Sequence, residues 1–527
     1  MRRRSFLAAS VAALALPAAV RAQAKNTLRF IPEQDLATLD PHISTVYVTR
    51  NHAYMVFDTL FGQDAAFNYT PQMLAGSVTE NDGRLWKLTL RDGLVWHDGT
   101  PVLARDCVAS INRWGKRAAL GDALIAATDE LSAPDDRTIQ FRLKKPFALL
   151  PYALGTSQSP MPAMMPERLA NTDPFKPIPE IIGSGPFTFV AAERVAGAHN
   201  VYAKFDKYQP REGGASEWTS GPKIVHYDRV VWTTIPDPAT AAAALQNDEQ
   251  DWWEFPPIDL QPLLRKNAAI KVVILDPNGG VTVMRPNHLQ PPFNKPEIRR
   301  AFLWAIDQVA FMQSIVGDNP DAYYTPLGFF CPHTPMYTDV GLEPFTGPRD
   351  YDKVKESLKR AGYAGERVVL LAGVNIVEMH ATGDMMADTM KKVGFNVDYQ
   401  PMDGAAMLAR RQKKDPIDHG GWSAFTTGWA GTNQLDPAAH FGLRGNGDSP
   451  SSWPGWCVSP ELERLRNAWF DSTSLAAARD ICRQIQLQAM QDVPCIPLGQ
   501  FHEPTAYRAS ITGVNNGFAT FWNVRPA

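Results

Sequence analysis

"RLWKLTLRDGLVWHDGTPVLARDCVASI", residues Arg84–Ile111, decides how the first part of the chain folds. Through Val102 apolar and polar residues alternate, the two-residue period of a strand with one buried face. The alternation breaks at Asp92-Gly93 and again at Asp98-Gly99. Asp-Gly supplies the left-handed backbone that tight hairpins need, so two hairpins are expected here. His97-Asp98-Gly99 reads as part of that turn chemistry and not as a catalytic pair. Downstream, "RTIQFRLKKPF" from Arg137 is another alternating strand.

Moving outward, "TLRFI" (Thr27–Ile31) is a strand and Tyr47 to Phe61 a helix. Prolines from Pro160 to Pro179 mark a boundary before "GSGPFTFV". From about Asn294 the texture changes to helices alternating with strands. Apolar residues at Ile298, Ala301, Phe302, Ala305, Ile306 and Val309 give one helix over 296–312, with Pro296 in its first turn. "DYDKVKESLKRAGY" stops at Gly362, "RVVLLA" is a strand, Glu378 to Val393 a helix ended by Gly394, and "FNVDYQ" a strand. That β-α-β order predicts a parallel pair. Two further amphipathic helices follow at 459–470 and 477–490. There is no internal repeat.

The first 24 residues combine four arginines, an apolar stretch and Ala22-Gln23-Ala24. This is the layout of a secretory leader cut before Lys25, with Arg3-Arg4-Ser5-Phe6-Leu7 resembling a twin-arginine signal. No cysteine follows the apolar stretch, so a soluble periplasmic protein without a lipid anchor is expected. Its removal takes the formal net charge from -3 to about -7, four arginines being lost with no acid. With no long basic run, neither nucleic acid nor a membrane surface is an expected partner. No later stretch has the roughly 18 apolar residues of a helical span. The five cysteines are scattered and allow at most two bridges.

Catalytic signatures are missing. There is no G-x-S-x-G elbow, H-E-x-x-H pair or G-x-x-x-x-G-K-[ST] loop. In "IIGSGPF", Pro186 removes an amide that a phosphate would need, so this is a structural turn. Cys331 and His333 have no second pair at zinc spacing. No catalytic residue, metal or cofactor is expected.

Together "LDPH", "DTLFG", the 84–111 run, "GSGPFTF", "PEIRRAFLWAID", "LKRAGY" and "DVPCIPL" resemble, in order and nearly end to end, one family. It is family 5 of the extracellular solute-binding proteins, the receptors of peptide- and nickel-type ABC importers. The resemblance implies an α/β fold of class II, two lobes joined by a hinge with an extra subdomain, and a ligand enclosed between the lobes. Carried onto this chain, lobe I comprises 25–60, 166–277 and 498–527, with a β-rich subdomain at 61–165; lobe II comprises 278–497. Hinge closure around the solute, as a monomer, and delivery to an inner-membrane permease are implied.

The family's ligand corner corresponds to "GWAGTNQLDP", Gly428–Pro437. Peptide-binding members carry an aspartate, gripping the ligand's α-ammonium, where this chain has Thr432. Either another carboxylate replaces it, Asp35, Glu254 and Asp403 being candidates, or the ligand has no free α-amine, the reading preferred here. On that reading Thr432→Asp would raise affinity for free-amine peptides. If "GWSAFTTGW" is a strand, Trp429 ends it and residues 430–434 face the cleft. Trp422, seven residues earlier, points to the other face. Asp436 and Pro437 are N-cap and N1 of a helix through "AAHF". Expected ligand-binding residues are Trp429, Thr432, Asn433, Trp422, Trp253, Phe255, Tyr47 and Arg444, with Trp453 and Trp456 adding indoles. The solute is peptide-like or another mid-sized organic molecule. Alternatives are a metal chelate, met by one of the scattered histidines, or an exported α/β hydrolase lacking its nucleophile motif.

Overall fold

A computed structural model describes residues 26–375, 377–449 and 452–527 of the chain. The leader expected at 1–24 lies outside them. Two large sheets organise the molecule. The first has seven strands in the order Ile270–Val273, Thr505–Arg508, Trp252–Trp253, Thr27–Ile31, Arg229–Thr233, His199–Lys204 and Phe187–Phe189. Thr27–Ile31 sits centrally, parallel to both its neighbours. Its alternate residues Leu28 and Phe30 are buried, and the Phe30 ring lies 4.9–5.5 Å from those of Trp232, Trp252 and Phe521. Such tilted and edge-on aromatic packing supplies much of this lobe's core.

The subdomain is a four-stranded antiparallel sheet, Leu74–Glu80, Leu85–Leu90, Thr138–Leu143 and Thr128–Ser132. Its hairpin turns at Asn81-Asp82-Gly83, all with positive φ. The expected hairpins at the two Asp-Gly pairs are turns without ladders. Asp98 accepts from the amide and hydroxyl of Thr100, tightening the second turn to one bridge, Val95 to Pro101. The chain then enters the helix Ala104–Gly115. His97 donates from Nε2 to the carbonyl of Gly185 and ties down the Gly-Ser-Gly-Pro turn.

The second lobe is built on six strands, Tyr323–Tyr324, Ile496–Phe501, Gly280–Pro286, Ala424–Ala430, Arg367–Gly373 and Asn396–Met402. Arg367–Gly373 and Asn396–Met402 pair in parallel, with the helix Val377–Lys392 between them. Ile496–Phe501 pairs with Gly280–Pro286 inside this sheet, so the lobe boundary expected after 497 falls within a strand and moves past Phe501. The chain therefore crosses between sheets at 274–279 and 502–504. The first crossing is tied to the strand that leads into the second, with Gln500 Nε2 donating to the carbonyls of Pro277 and Asn278.

Three helices differ from expectation. Tyr47 starts a helix that ends at Val56, because Asp58 is drawn into a buried ion pair with Lys223 (2.7 Å) and a bridge with Met164. The 296–312 helix is two, Pro296–Leu303 and Gln308–Val316, the second capped by Asp307. No helix runs through Ala438–Phe441; Asp436 accepts from the amides of Ala438 and Ala439 and closes a single turn.

Candidate functional site in the interlobe cleft

Ala424–Ala430 lies near the middle of the second sheet, and its carboxyl end opens on the space between the lobes. Beyond it the chain turns through a short 3-10 helix, Gly431–Gln434. Gly431 is required there: a Cβ would lie 2.0 Å from the carbonyl oxygen of Asn278, and its amide donates to the carbonyl of Gly279 (2.8 Å). The ligand corner is thus pressed against the hinge backbone.

The cavity at this corner measures about 620 Å3, within the roughly 300–1,000 Å3 of small-molecule sites. The second lobe supplies an aromatic wall of Trp429, Trp453 and Phe441, and Met379 and Leu408 add apolar surface. Trp429 and Trp453 meet edge to face at 5.5 Å. From the first lobe comes Tyr47, whose hydroxyl donates to the carbonyl of Gly279. Thr427 and Asn433 of the second lobe and Gln34 and Thr45 of the first add uncharged polar groups to the lining.

Four charged residues also line it. Glu33 follows the central strand of the first lobe, Glu378 begins the Val377–Lys392 helix, Glu503 sits in the second crossing, and Arg411 follows the helix Gly404–Arg410. Glu33 is open to the cavity, but protein surrounds its carboxyl elsewhere. That enclosure, then the charges of Glu254 and Glu378, push it up to about 7. Burial first, then Glu33, Glu378, Glu254 and Asp276, hold Glu503 well above the ordinary carboxylate range. Glu254 lies behind this cluster, fully enclosed, and accepts from the Glu33 amide and the Asn51 side chain. The Arg411 guanidinium lies over Phe425 (5.3 Å) and Trp453 (5.9 Å), and burial lowers it to about 10.

Of the residues expected at the site, Trp429, Asn433, Tyr47 and Trp453 line the cavity. The others need correction. Thr432 is buried, and its hydroxyl accepts from Arg50 Nη1 (3.4 Å), a guanidinium stacked between Tyr47 and Phe518. Trp422 precedes the strand and is fully buried against Phe425 and Trp456, on the same face as Trp429 and not the opposite one expected, because the chain turns before the strand begins; it donates to the carbonyls of Arg411 and Lys413. Trp253 packs beneath the first sheet with Ile31, Leu245 and Ala506. Phe255 stands behind Tyr47, ring centroids 6.1 Å apart, and Arg444 stacks on Phe441 and faces a smaller neighbouring cavity. Asp35 and Asp403 do not line the cavity either; Asp403 caps the Gly404–Arg410 helix.

Sequence reasoning missed Glu33, Glu378, Glu503 and Arg411. Glu33 was within reach, since it follows the carboxyl end of a central strand, the same rule that singled out Trp429. The others come from a helix start, a hinge and a loop with no pattern of their own.

The family model for bacterial extracellular solute-binding proteins, family 5 Middle, matches residues 68–450. A "Probable peptide ABC transporter periplasmic-binding protein" of Sinorhizobium fredii is 35% identical, covering 98% of each chain. The glutathione-binding protein GsiB of Pectobacterium atrosepticum is 26% identical over 97% of this chain and 96% of its own. Among solved structures, the DppA periplasmic binding protein of Helicobacter pylori, in complex with a peptide, superimposes with a TM-score of 0.77 at 19% identity, covering 96% of this chain and 99% of that one. A two-lobed fold, a cavity between the lobes and a family match over most of its length make this chain a member of the family 5 bacterial extracellular solute-binding proteins.

Proposed function

We propose that this chain is the periplasmic receptor of an ABC importer, enclosing a peptide-like or other mid-sized organic solute and delivering it to an inner-membrane permease. The reading includes export without a lipid anchor, action as a monomer and no covalent change in the solute. One observation carries it: a cavity of about 620 Å3 is walled by both lobes and the hinge, with indoles, amides and charges directed inward. A solute touching both walls favours the closed form by its differential affinity for the two forms. Similarity to a relative named for peptide transport and to others named for glutathione supports a peptide-like cargo.

Native mass spectrometry of the protein, freshly purified from its own periplasm, is the direct test. A retained small molecule, together with a smaller radius of gyration when it is restored to stripped protein, is the expected result. Scattering curves that stay identical with and without it would refute capture by closure.

A further inference from the structure

Three carboxyl groups converge on the cavity from three parts of the molecule: Glu33 from the first lobe, Glu378 from the second and Glu503 from the hinge. None accepts a hydrogen bond or ion pair from any described residue. Arg411, also on the lining, likewise has no hydrogen-bond acceptor for its guanidinium among those residues, only aromatic faces. An enclosed charge without a partner is expensive, and binding sites are where such arrangements persist. The charges facing these carboxyls are unbalanced. Glu254 and Asp276 add to them, and Arg50 is the cation that acts on Glu33 and Glu254. Arg50 itself is tied to Thr432 and stacked between two rings.

Resting on the receptor role proposed above, we propose that the solute carries a positively charged organic group, an ammonium or guanidinium, held jointly by Glu33, Glu378 and Glu503. This group is also what draws the lobes together. Without it, those of the carboxyls that ionise repel across the cleft and favour separation; with it, each gains a partner only when the cleft shuts. No three His, Cys, Asp or Glu side chains among the described residues are spaced as ligands of a bare metal ion, and an organic cation needs no such spacing. The subsite is distinct from position 432, whose threonine is engaged by Arg50. Arg411 is placed to take a second, anionic part of the same solute.

Protonation gives the arrangement a pH signature. The Glu33 carboxyl, pushed up to about 7, is largely protonated at lower pH and must ionise to pair with a cation. Capture therefore releases protons below neutrality, and affinity rises with pH.

The test uses calorimetry on the full mature chain with three peptides. Ala-norleucine-Ala carries only the α-ammonium, acetyl-Ala-Lys-Ala only a side-chain ammonium, and acetyl-Ala-norleucine-Ala no cation. At least one cationic peptide should bind about tenfold or more tighter than the blocked one. The double variant Glu378→Gln with Glu503→Gln should lose that factor and keep the weaker binding. Wild-type affinity for the preferred peptide should climb between about pH 5 and pH 8, while that for the blocked peptide stays level. Equal affinity for all three peptides, or a preference surviving in the double variant, overturns the cation subsite and leaves the receptor role standing. If none of the three binds or changes the scattering curve, the peptide-like reading fails and the subsite falls with it.

Discussion

At the scale of single residues, two tryptophans seven positions apart, one before a strand and one near its end, do different work. Trp429 is half-buried and walls the cavity; Trp422 is fully buried in the cluster behind that wall, with Phe425 and Trp456. Trp429→Ala should weaken solute binding by about tenfold or more with little change in melting temperature. Trp422→Ala should cost about 3–5 kcal/mol of stability, read by denaturant unfolding, because it empties a packed cluster and leaves two carbonyls without their donor. Thr432 shows how a local reading can mislead. A carboxylate there would face Arg50, not the cavity, so Thr432→Asp should confer no selectivity for free-amine peptides in competition assays. The raised carboxyls also shape stability. A group whose folded value exceeds its unfolded one stabilises the fold at low pH and loses that contribution as pH rises through the folded value. For Glu33 that window lies between the ordinary glutamate value of 4.5 and about 7, so the melting temperature of Glu33→Gln should rise relative to that of the wild type between pH 5 and pH 8. Glu378→Gln should narrow the difference, since it removes a charge that raises Glu33.

Elements matter here through what they hold in place. Arg285, on the central strand Gly280–Pro286, is fully buried without a carboxylate partner, and burial lowers its pKa. Its guanidinium donates to the carbonyls of Pro454, Gly442, Pro494 and Trp453 and lies 4.6 Å from the Trp453 ring. It staples to the sheet the loop that carries an indole of the cavity wall. Gly455 leaves room for it, since a Cβ there would come within 2.4 Å of Arg285 Nε. Arg285→Met should leave those carbonyls unpaired and cost several kcal/mol in chemical denaturation, about 1–3 for each buried group stranded. Solute affinity should fall as well, because Trp453 loses its anchor. The helix boundaries follow the same logic. Asp307 caps a new helix four residues after the first one ends at Leu303, and Asp58 ends the Tyr47 helix by pairing with Lys223 from 165 residues away. Periodicity alone favours continuation in both places.

Across the whole molecule, the subdomain and the second lobe are bound by a buried carboxylate. Asp436 accepts from the Tyr152 hydroxyl and from Gln158 Nε2, both of the subdomain, while its other oxygen closes its own turn. Burial pushes its pKa up and these four donors pull it back. The exposed Lys145–Asp471 pair also joins the two parts, but such pairs contribute at most about 1 kcal/mol. Asp436→Asn keeps a capable turn cap and removes the charge, and Tyr152→Phe removes one donor. Both should enlarge the radius of gyration of the solute-bound protein and weaken binding by about tenfold. Unchanged scattering from both variants would mean the contact does not hold the lobes shut.

Local patterns settled much in advance. Alternation and turn residues fixed the β-rich subdomain, and the β-α-β order at 367–402 fixed a parallel pair, because strand and helix periods are written in neighbouring residues. The motif run of residues 84–111 carried the family, and the carboxyl-end rule picked out Trp429. What the order of residues did not determine was which charges meet. Glu33, Glu378 and Glu503 stand more than a hundred positions apart and share a cavity because two chain crossings set the lobes on either side of it. Thr432 was drawn away from the cleft by an arginine 382 residues earlier. Electrostatic partnership depends on distance through space and on the loss of water around each group, and only the closed tertiary structure sets those.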